Sequence, residues 1–221
     1  MGKRGPQPKR RAPILWTPKL AYVIGLITTD GCLSNDGRHL DITSKDTQLL
    51  KTVKQCLGLT VKIGKKSSTY NPTGHYFHIQ FGDVVLYRWL QSIGLTPKKS
   101  KTIGILKIPH RYFRDFLRGH FDGDGSFYSY WDPRWHSSFM FYLQFVSASR
   151  HHLEWLKDTI TTIFSVGGTI GPLRRGAHQL RFAKTASLKL LRAMYHHREI
   201  PYLERKYKKV IRALRQEDII L

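Results

Sequence analysis

Apolar positions along the chain alternate between two rhythms. Leu20-Ala21-Tyr22-Val23-Ile24-Gly25-Leu26-Ile27 reads as an apolar helix running into Thr28-Thr29-Asp30-Gly31. Thr17-Pro18 supplies its start, with Thr as cap and Pro at the first helical position. Leu40 and Ile42 then alternate with His39, Asp41 and Thr43, the period of a half-buried strand. Helical spacing returns behind Asp46 with Leu49, Leu50, Val53 and Leu57 on one side. Residues 61–66 read as a basic strand and 71–74 as a turn. In the strand that follows, Phe77, Ile79 and Phe81 face one way while Tyr76, His78 and Gln80 face the other. A helix from Val84 to Ile93 closes at Gly94. The first half thus reads as αββαββα, an α+β unit whose strands keep one polar or basic face.

The second half repeats this scheme. Adding 103 carries Leu40 to Leu143, Ile42 to Phe145, Leu50 to Leu153 and Val53 to Leu156. The same shift carries Ile63 to Val166, Phe77 to Leu180 and Ile79 to Phe182, the mark of an internal duplication. The apolar helix recurs as Phe116-Leu117-Arg118-Gly119-His120-Phe121-Asp122-Gly123-Asp124-Gly125, 94 residues after the first copy. Nine additional residues therefore fall between Gly125 and Phe139, within an aromatic and basic stretch read as an extended hairpin tip. Pro109 is expected to start the second helix. Pro-then-basic stretches leave each half, at 95–101 and 200–209. The expected divisions are a basic tail at 1–13, a first repeat at 14–94, a linker at 95–108 and a second repeat at 109–221.

Each copy places small residues four apart near the helix end: Ala21, Gly25 and Thr29, then Gly119 and Gly123. Such spacing lines one face, where two backbones can approach closely. Asp30 and Asp124 align, and each stands at a helix C-terminus whose carbonyls already carry partial negative charge. Two such ends side by side repel unless a cation joins them. The pattern points to a divalent-metal site between similar halves. Thr28 stands where the second copy has Asp122, so only the later acid is present twice.

Both stretches resemble the LAGLIDADG motif of homing endonucleases. Residues 23–31 follow its nine-residue pattern, and Phe121-Asp122-Gly123-Asp124-Gly125 follows its end. The resemblance implies two pseudo-symmetric repeats joined at their motif helices, a saddle-shaped DNA-binding β surface and a monomeric, metal-dependent endonuclease. It implies that Asp30 and Asp124 each serve one strand with Mg²⁺ (or Mn²⁺), helped by the backbone oxygens of Thr29 and Gly123. Intron homing is its implied setting. An RNA maturase that binds intron RNA on the same scaffold, and a DNA-binding protein that has lost cleavage, are the alternatives. Lys45 matches a position where the family carries a catalytic basic residue; its counterpart is Ala148, whereas Lys184 falls opposite Phe81. Lys45 and Lys184 are accordingly the expected catalytic lysines, with Arg150 as a substitute.

Composition narrows the partner. Lys and Arg number 37 against 15 Asp and Glu, a net +22 that favours a polyanion such as double-stranded DNA. Candidate base readers on the polar strand faces are Arg38, Lys62, Lys66, Tyr76, His78 and Gln80, then Tyr142, Gln144, Gln179 and Arg181. No apolar run is long enough to span a membrane. Cys32 and Cys56 are the only cysteines and make no disulfide framework, so buried thiols and an intracellular location are expected. The adjacent pairs His151-His152 and His196-His197 carry no zinc spacing, and no catalytic role is assigned to histidine.

Overall fold

The computed structural model describes residue 12 and residues 14–68, 71–197 and 199–221, with the backbone alone at 67, 68 and 71–74. The first half runs α1 (Pro18–Thr29), β1 (Gly31–Leu33), β2 (His39–Ser44), α2 (Thr47–Leu57), β3 (Gly64–Ser68), β4 (Asn71–Gly82) and α3 (Val84–Ser92). The second runs α4 (His110–Asp124), β5 (Ser126–Trp131), β6 (Phe139–Ser147), α5 (Arg150–Phe164), β7 (Thr169–Pro172), β8 (His178–Phe182) and α6 (Lys184–Met194), followed by α7 (Glu204–Leu214). Each half folds as the expected αββαββα unit around a four-stranded antiparallel sheet, ordered β1-β2-β4-β3 and β5-β6-β8-β7.

Thr17 caps α1 by accepting from the Leu20 amide at 3.1 Å, and every residue from Leu20 to Thr28 is buried. Buried Leu40, Ile42, Ile79 and Phe81 line the inner face of the first sheet, as Leu143, Phe145, Leu180 and Phe182 line that of the second. The motif helices meet through their glycines. A methyl group on Gly119 would lie 1.9 Å from the Tyr22 carbonyl oxygen, and one on Gly25 would lie 2.2 Å from that of Phe116. Only a residue without Cβ permits this approach.

Several expectations require correction. Strand β3 begins at Gly64, so Lys62 precedes it, and residues 71–74 belong to β4 instead of forming a turn. Pro109 caps α4 from outside, the helix itself starting at His110. Cys32 is exposed, because it points away from the core between inward Gly31 and Leu33, and Cys56 is half-buried. The constant 103-residue spacing fails in the last strand. Leu40 pairs with Phe81, but its counterpart Leu143 pairs with Phe182, two residues short of the expected position. Lys184 therefore opens α6 and does not stand where Phe81 stands. Ala12 is buried and donates its amide to Asp83 at 3.0 Å; the rest of the expected basic tail lies outside the described residues.

Candidate active site

The glycine seam carries the two acids to one place. Asp30 follows α1 as its C-terminal cap and Asp124 is the last residue of α4. A methyl group on Gly123 would touch the Thr29 hydroxyl at 1.9 Å and lie 3.3 Å from Asp30 Oδ2, so the end of one helix abuts that of the other. Among the described residues no side chain donates a hydrogen bond to either carboxylate.

Asp122, two residues earlier, has a different environment. It is buried, and its Oδ2 accepts from the Tyr22 hydroxyl at 2.8 Å and the Leu203 amide at 2.7 Å. Burial raises its carboxyl to about 6 despite these donors. Asp122 thus ties α1, α4 and the entry to α7 together. Buried Arg118 reinforces that junction, donating to the Asp115 carboxylate at 2.8 Å and to the carbonyls of Met194 and Pro201 at 2.7 Å each. One consequence of this anchoring is the position of Lys206, on the first turn of α7. Its ammonium donates to the carbonyls of Phe121, Gly123 and Gly125 at 2.6, 2.8 and 2.7 Å, where the α4 dipole is negative. On the other side, buried Lys99 donates to the Gly31 carbonyl just beyond α1. A lysine thus closes each helix end beside its acid.

Electrostatics follow from this crowding. Desolvation, then the negative charge of Asp124, raises the Asp30 carboxyl from 3.8 to about 6, opposed by Lys206, Lys99 and Arg205. Although Asp124 is exposed, surrounding protein displaces enough water to raise it as well, against Lys206 and Lys99. Burial lowers Lys206 to about 8. Replacing Lys206 with Met should therefore push the Asp30 carboxyl further above 6. A ¹³C-detected carboxyl titration reads this directly, and an unchanged Asp30 would show that Lys206 does not act on it.

The expected lysines make contacts of their own. Lys45 lies over the Tyr76 ring, 5.0 Å from its centroid. Lys184 pairs with Glu217 and donates to the Phe139 carbonyl at 2.7 Å. Lys206 and Lys99 are the lysines whose charge opposes the rise of both acids. Arg150 is held by Glu154 at 2.8 Å. Lys99 and Lys206 lie in the two Pro-then-basic stretches, and that parallel was the available signal for them.

The expected base readers separate by character. On the outer face of the first sheet, Asp41 binds Lys66 at 2.9 Å and His78 at 2.8 Å, with Thr43 completing the network. Tyr76 is opposite Lys66, Gln80 is opposite Asp41, and Arg38 is exposed in the β1–β2 turn. On the second sheet Tyr142 stacks with Tyr128 and Tyr130, at 5.2 and 6.2 Å, and lies beneath Arg181 at 5.2 Å. Gln144 is opposite Arg181, and Gln179 is opposite Val146. At the hairpin tip Trp135 is exposed, while Trp131 leans on Phe139, 5.0 Å between ring centroids.

No cluster of three metal-ligating side chains occurs among the described residues. Two mutually repelling carboxylates without side-chain donors nevertheless suit a hard cation that takes oxygen ligands and keeps water. The Gly123 carbonyl, expected as a metal ligand, already accepts from Lys206. No helix among the described residues is long and apolar enough to cross a membrane.

Residues 17–94 match the LAGLIDADG-like domain. No curated protein matches the sequence. The full-length DUF199/WhiA protein of Thermotoga maritima superposes with a TM-score of 0.58 at 16% identity, covering 92% of this chain. This chain spans only 62% of that protein's length. Meganuclease I-SmaMI, bound to uncleaveable DNA, gives 0.61 at 15% identity, covering 94% of this chain and 92% of its own. Homing endonuclease I-WcaI, bound to its DNA recognition sequence, gives 0.62 at 11%, covering 88% of each. Another I-SmaMI structure holds uncleaved target in the presence of calcium ions. The first half thus matches a LAGLIDADG-like domain, and the chain as a whole has the fold of single-chain LAGLIDADG endonucleases.

Proposed function

We propose that this LAGLIDADG-fold chain is a site-specific endonuclease that binds double-stranded DNA and hydrolyses one phosphodiester in each strand with Mg²⁺. The observation that carries this reading is the convergence of Asp30 and Asp124 at a seam that disfavours both charges. Binding DNA alone gives no reason to hold two carboxylates together in a protein of net charge +22.

In this reading the outer sheet faces lie in the major groove, where polar side chains meet base edges, and Lys and Arg elsewhere contact phosphates. Asp30 and Asp124, with the Thr29 carbonyl, would hold the divalent ion, which activates water and offsets charge on the departing 3′-oxygen. Lys99 and Lys206 neutralise the helix ends and offset phosphate charge beside them. Water oxygen bonds to phosphorus as the P–O3′ bond breaks; the water proton leaves to solvent, and the 3′-oxygen takes one from solvent.

Protonation of Asp30 removes an anionic ligand. At subsaturating Mg²⁺, double-strand cleavage should thus fall by about tenfold per unit below pH 6 and level off above it. A pH–rate profile flat from 5 to 7 would count against Asp30 as a ligand. A second reading, DNA binding without cleavage, is favoured by the Lys206 contact to the Gly123 carbonyl, which positive charge makes a poorer metal ligand. Assaying the purified protein on a randomised duplex library with Mg²⁺, by binding and by strand scission, separates the two.

A further inference from the structure

The additional residues that set the second half apart from the first build a projecting ribbon. Strand β8 pairs with β6 only from Leu143 to Ser147, whereas β5 pairs with β6 out to Phe139. Tyr128 to Trp131 and Phe139 to Tyr142 therefore form a two-stranded hairpin beyond the end of β8. The first half has no such extension, since β4 pairs with β2 all the way from His39 to Ser44.

Aromatic rings line the outer face of this hairpin. Tyr142 lies nearly parallel to Tyr128 and to Tyr130, at 18° and 11°, with centroids 5.2 and 6.2 Å away. Tyr128 and Tyr142 are half-buried, but Tyr130, the member nearest the tip, is 40% exposed. Stacking between strands stabilises a ribbon, yet it does not require the last ring to face solvent.

The tip is fixed in shape. The Asp132 amide donates to the Ser138 carbonyl at 2.9 Å, the Trp135 amide to that of Asp132 at 3.2 Å, and the Ser138 amide to that of Trp135 at 2.7 Å. The Asp132 carboxylate accepts from the Arg134 amide at 2.9 Å and from its guanidinium at 3.1 and 3.2 Å. Asp132 is the only acid between Gly125 and Arg150, and this pair offsets its charge. Asp132 first, then the Tyr130 and Tyr142 hydroxyls, raise the Arg134 guanidinium above its usual value, which places that cation beside the stack. Trp135 is 67% exposed on the same turn. Away from this hairpin, the exposed large hydrophobic side chains among the described residues are aliphatic: Leu15, Ile105 and Ile220.

Rigid exposed rings beside an arginine, on a chain of net charge +22, match a partner with flat aromatic groups on an anionic backbone. A duplex offers groove edges, because its paired bases hide their faces in the stack. Ring faces are offered by unpaired bases. We propose that this hairpin is a stacking site for a single nucleic-acid strand, with Tyr130 and Trp135 each carrying one unpaired base and Arg134 beside the phosphates. This mode is separate from groove reading by the sheets. It uses neither acid of the seam and no metal, so it stands whether or not the chain cuts DNA.

The test compares two labelled oligomers by fluorescence anisotropy on the full chain in EDTA. One is oligo(dT) of about 12 nucleotides. The other is an abasic strand of equal length, which keeps every phosphate and lacks the bases. Wild-type protein should prefer oligo(dT) by about tenfold or more, the scale of one stacked base. Tyr130→Ala/Trp135→Ala, at two exposed positions, should bind oligo(dT) only as well as the abasic strand, with abasic affinity unchanged. Tyr130→Phe keeps the ring and should keep the preference. Equal affinity of wild type for the two strands overturns the proposal, as does a preference that survives the double variant or is lost in Tyr130→Phe. Oligo(dT) and oligo(U) should bind alike, since a ring face touches no 2′-hydroxyl. A difference of more than about tenfold between them would show that sugar contacts hold the strand, and overturns stacking.

Discussion

Replacing Asp30 or Asp124 with Asn leaves DNA bound and abolishes double-strand cleavage, by about 10³-fold or more. The loss is this large because Asn keeps the shape but not the charge, and a helix C-terminus offers carbonyl oxygens alone in its place. The same substitution should make the metal-free protein more stable. The Asp30 carboxyl is raised from 3.8 in the unfolded chain to about 6, so the folded state binds this proton more tightly. Its contribution to stability is complete below pH 3.8 and lost as pH rises through 6, leaving an unfavourable carboxylate at pH 7.5. Without metal at that pH, Asp30→Asn should melt ~2–4 °C above the wild-type protein, corresponding to roughly 1 kcal/mol. The gain should vanish as pH approaches 4. Thermal melts at both pH values check the sign. A variant that cuts both strands normally, or melts lower at pH 7.5, contradicts the role given to Asp30.

The largest expected effect on stability belongs to the seam. In Gly119→Ala the new methyl would stand 1.9 Å from the Tyr22 carbonyl oxygen and 3.2 Å from Gly25 Cα. Both obstacles are backbone, so no side-chain rotation relieves them and α1 must move away from α4. Buried Leu20 to Thr28 would lose packing along that face. A cost of about 4 kcal/mol or more follows, a fall in Tm of ~10 °C or failure to fold. Gly167→Ala is the control, because its methyl meets nothing within 4 Å and its backbone is not left-handed. That variant should stay within about 0.5 kcal/mol of wild type. Equal melting of the two variants would show that the helices do not depend on glycine contact.

How far the sequence could be read depended on whether a feature was local. Asp30, Asp124, Gly25 and Gly119 were legible because helical spacing places them, and the chain states the pattern twice. The strands were legible where alternation was clean, as at Leu40 and Ile42 or Phe77 to Phe81. Projecting a constant repeat spacing to Lys184 failed, because β8 pairs two residues earlier than that spacing requires. Lys99 and Lys206 were missed since each reaches an acid only through tertiary structure. Lys206 is delivered by an Asp122–Leu203 hydrogen bond spanning 81 residues, which no local pattern records. The histidines were judged as sequence neighbours, and His151 and His152 do diverge. The partner of His152 is His120, on another helix.

The most direct measurement is strand scission of a randomised duplex library by wild-type protein with Mg²⁺, beside the Asp30→Asn/Asp124→Asn double variant. Paired carboxylates at the seam predict that wild type recovers one sequence class cut on both strands. They also predict that EDTA abolishes this cutting and that the double variant enriches the same class by binding alone. Recovery of bound but uncut duplexes by wild type, with Mg²⁺ and Mn²⁺ alike, would contradict it.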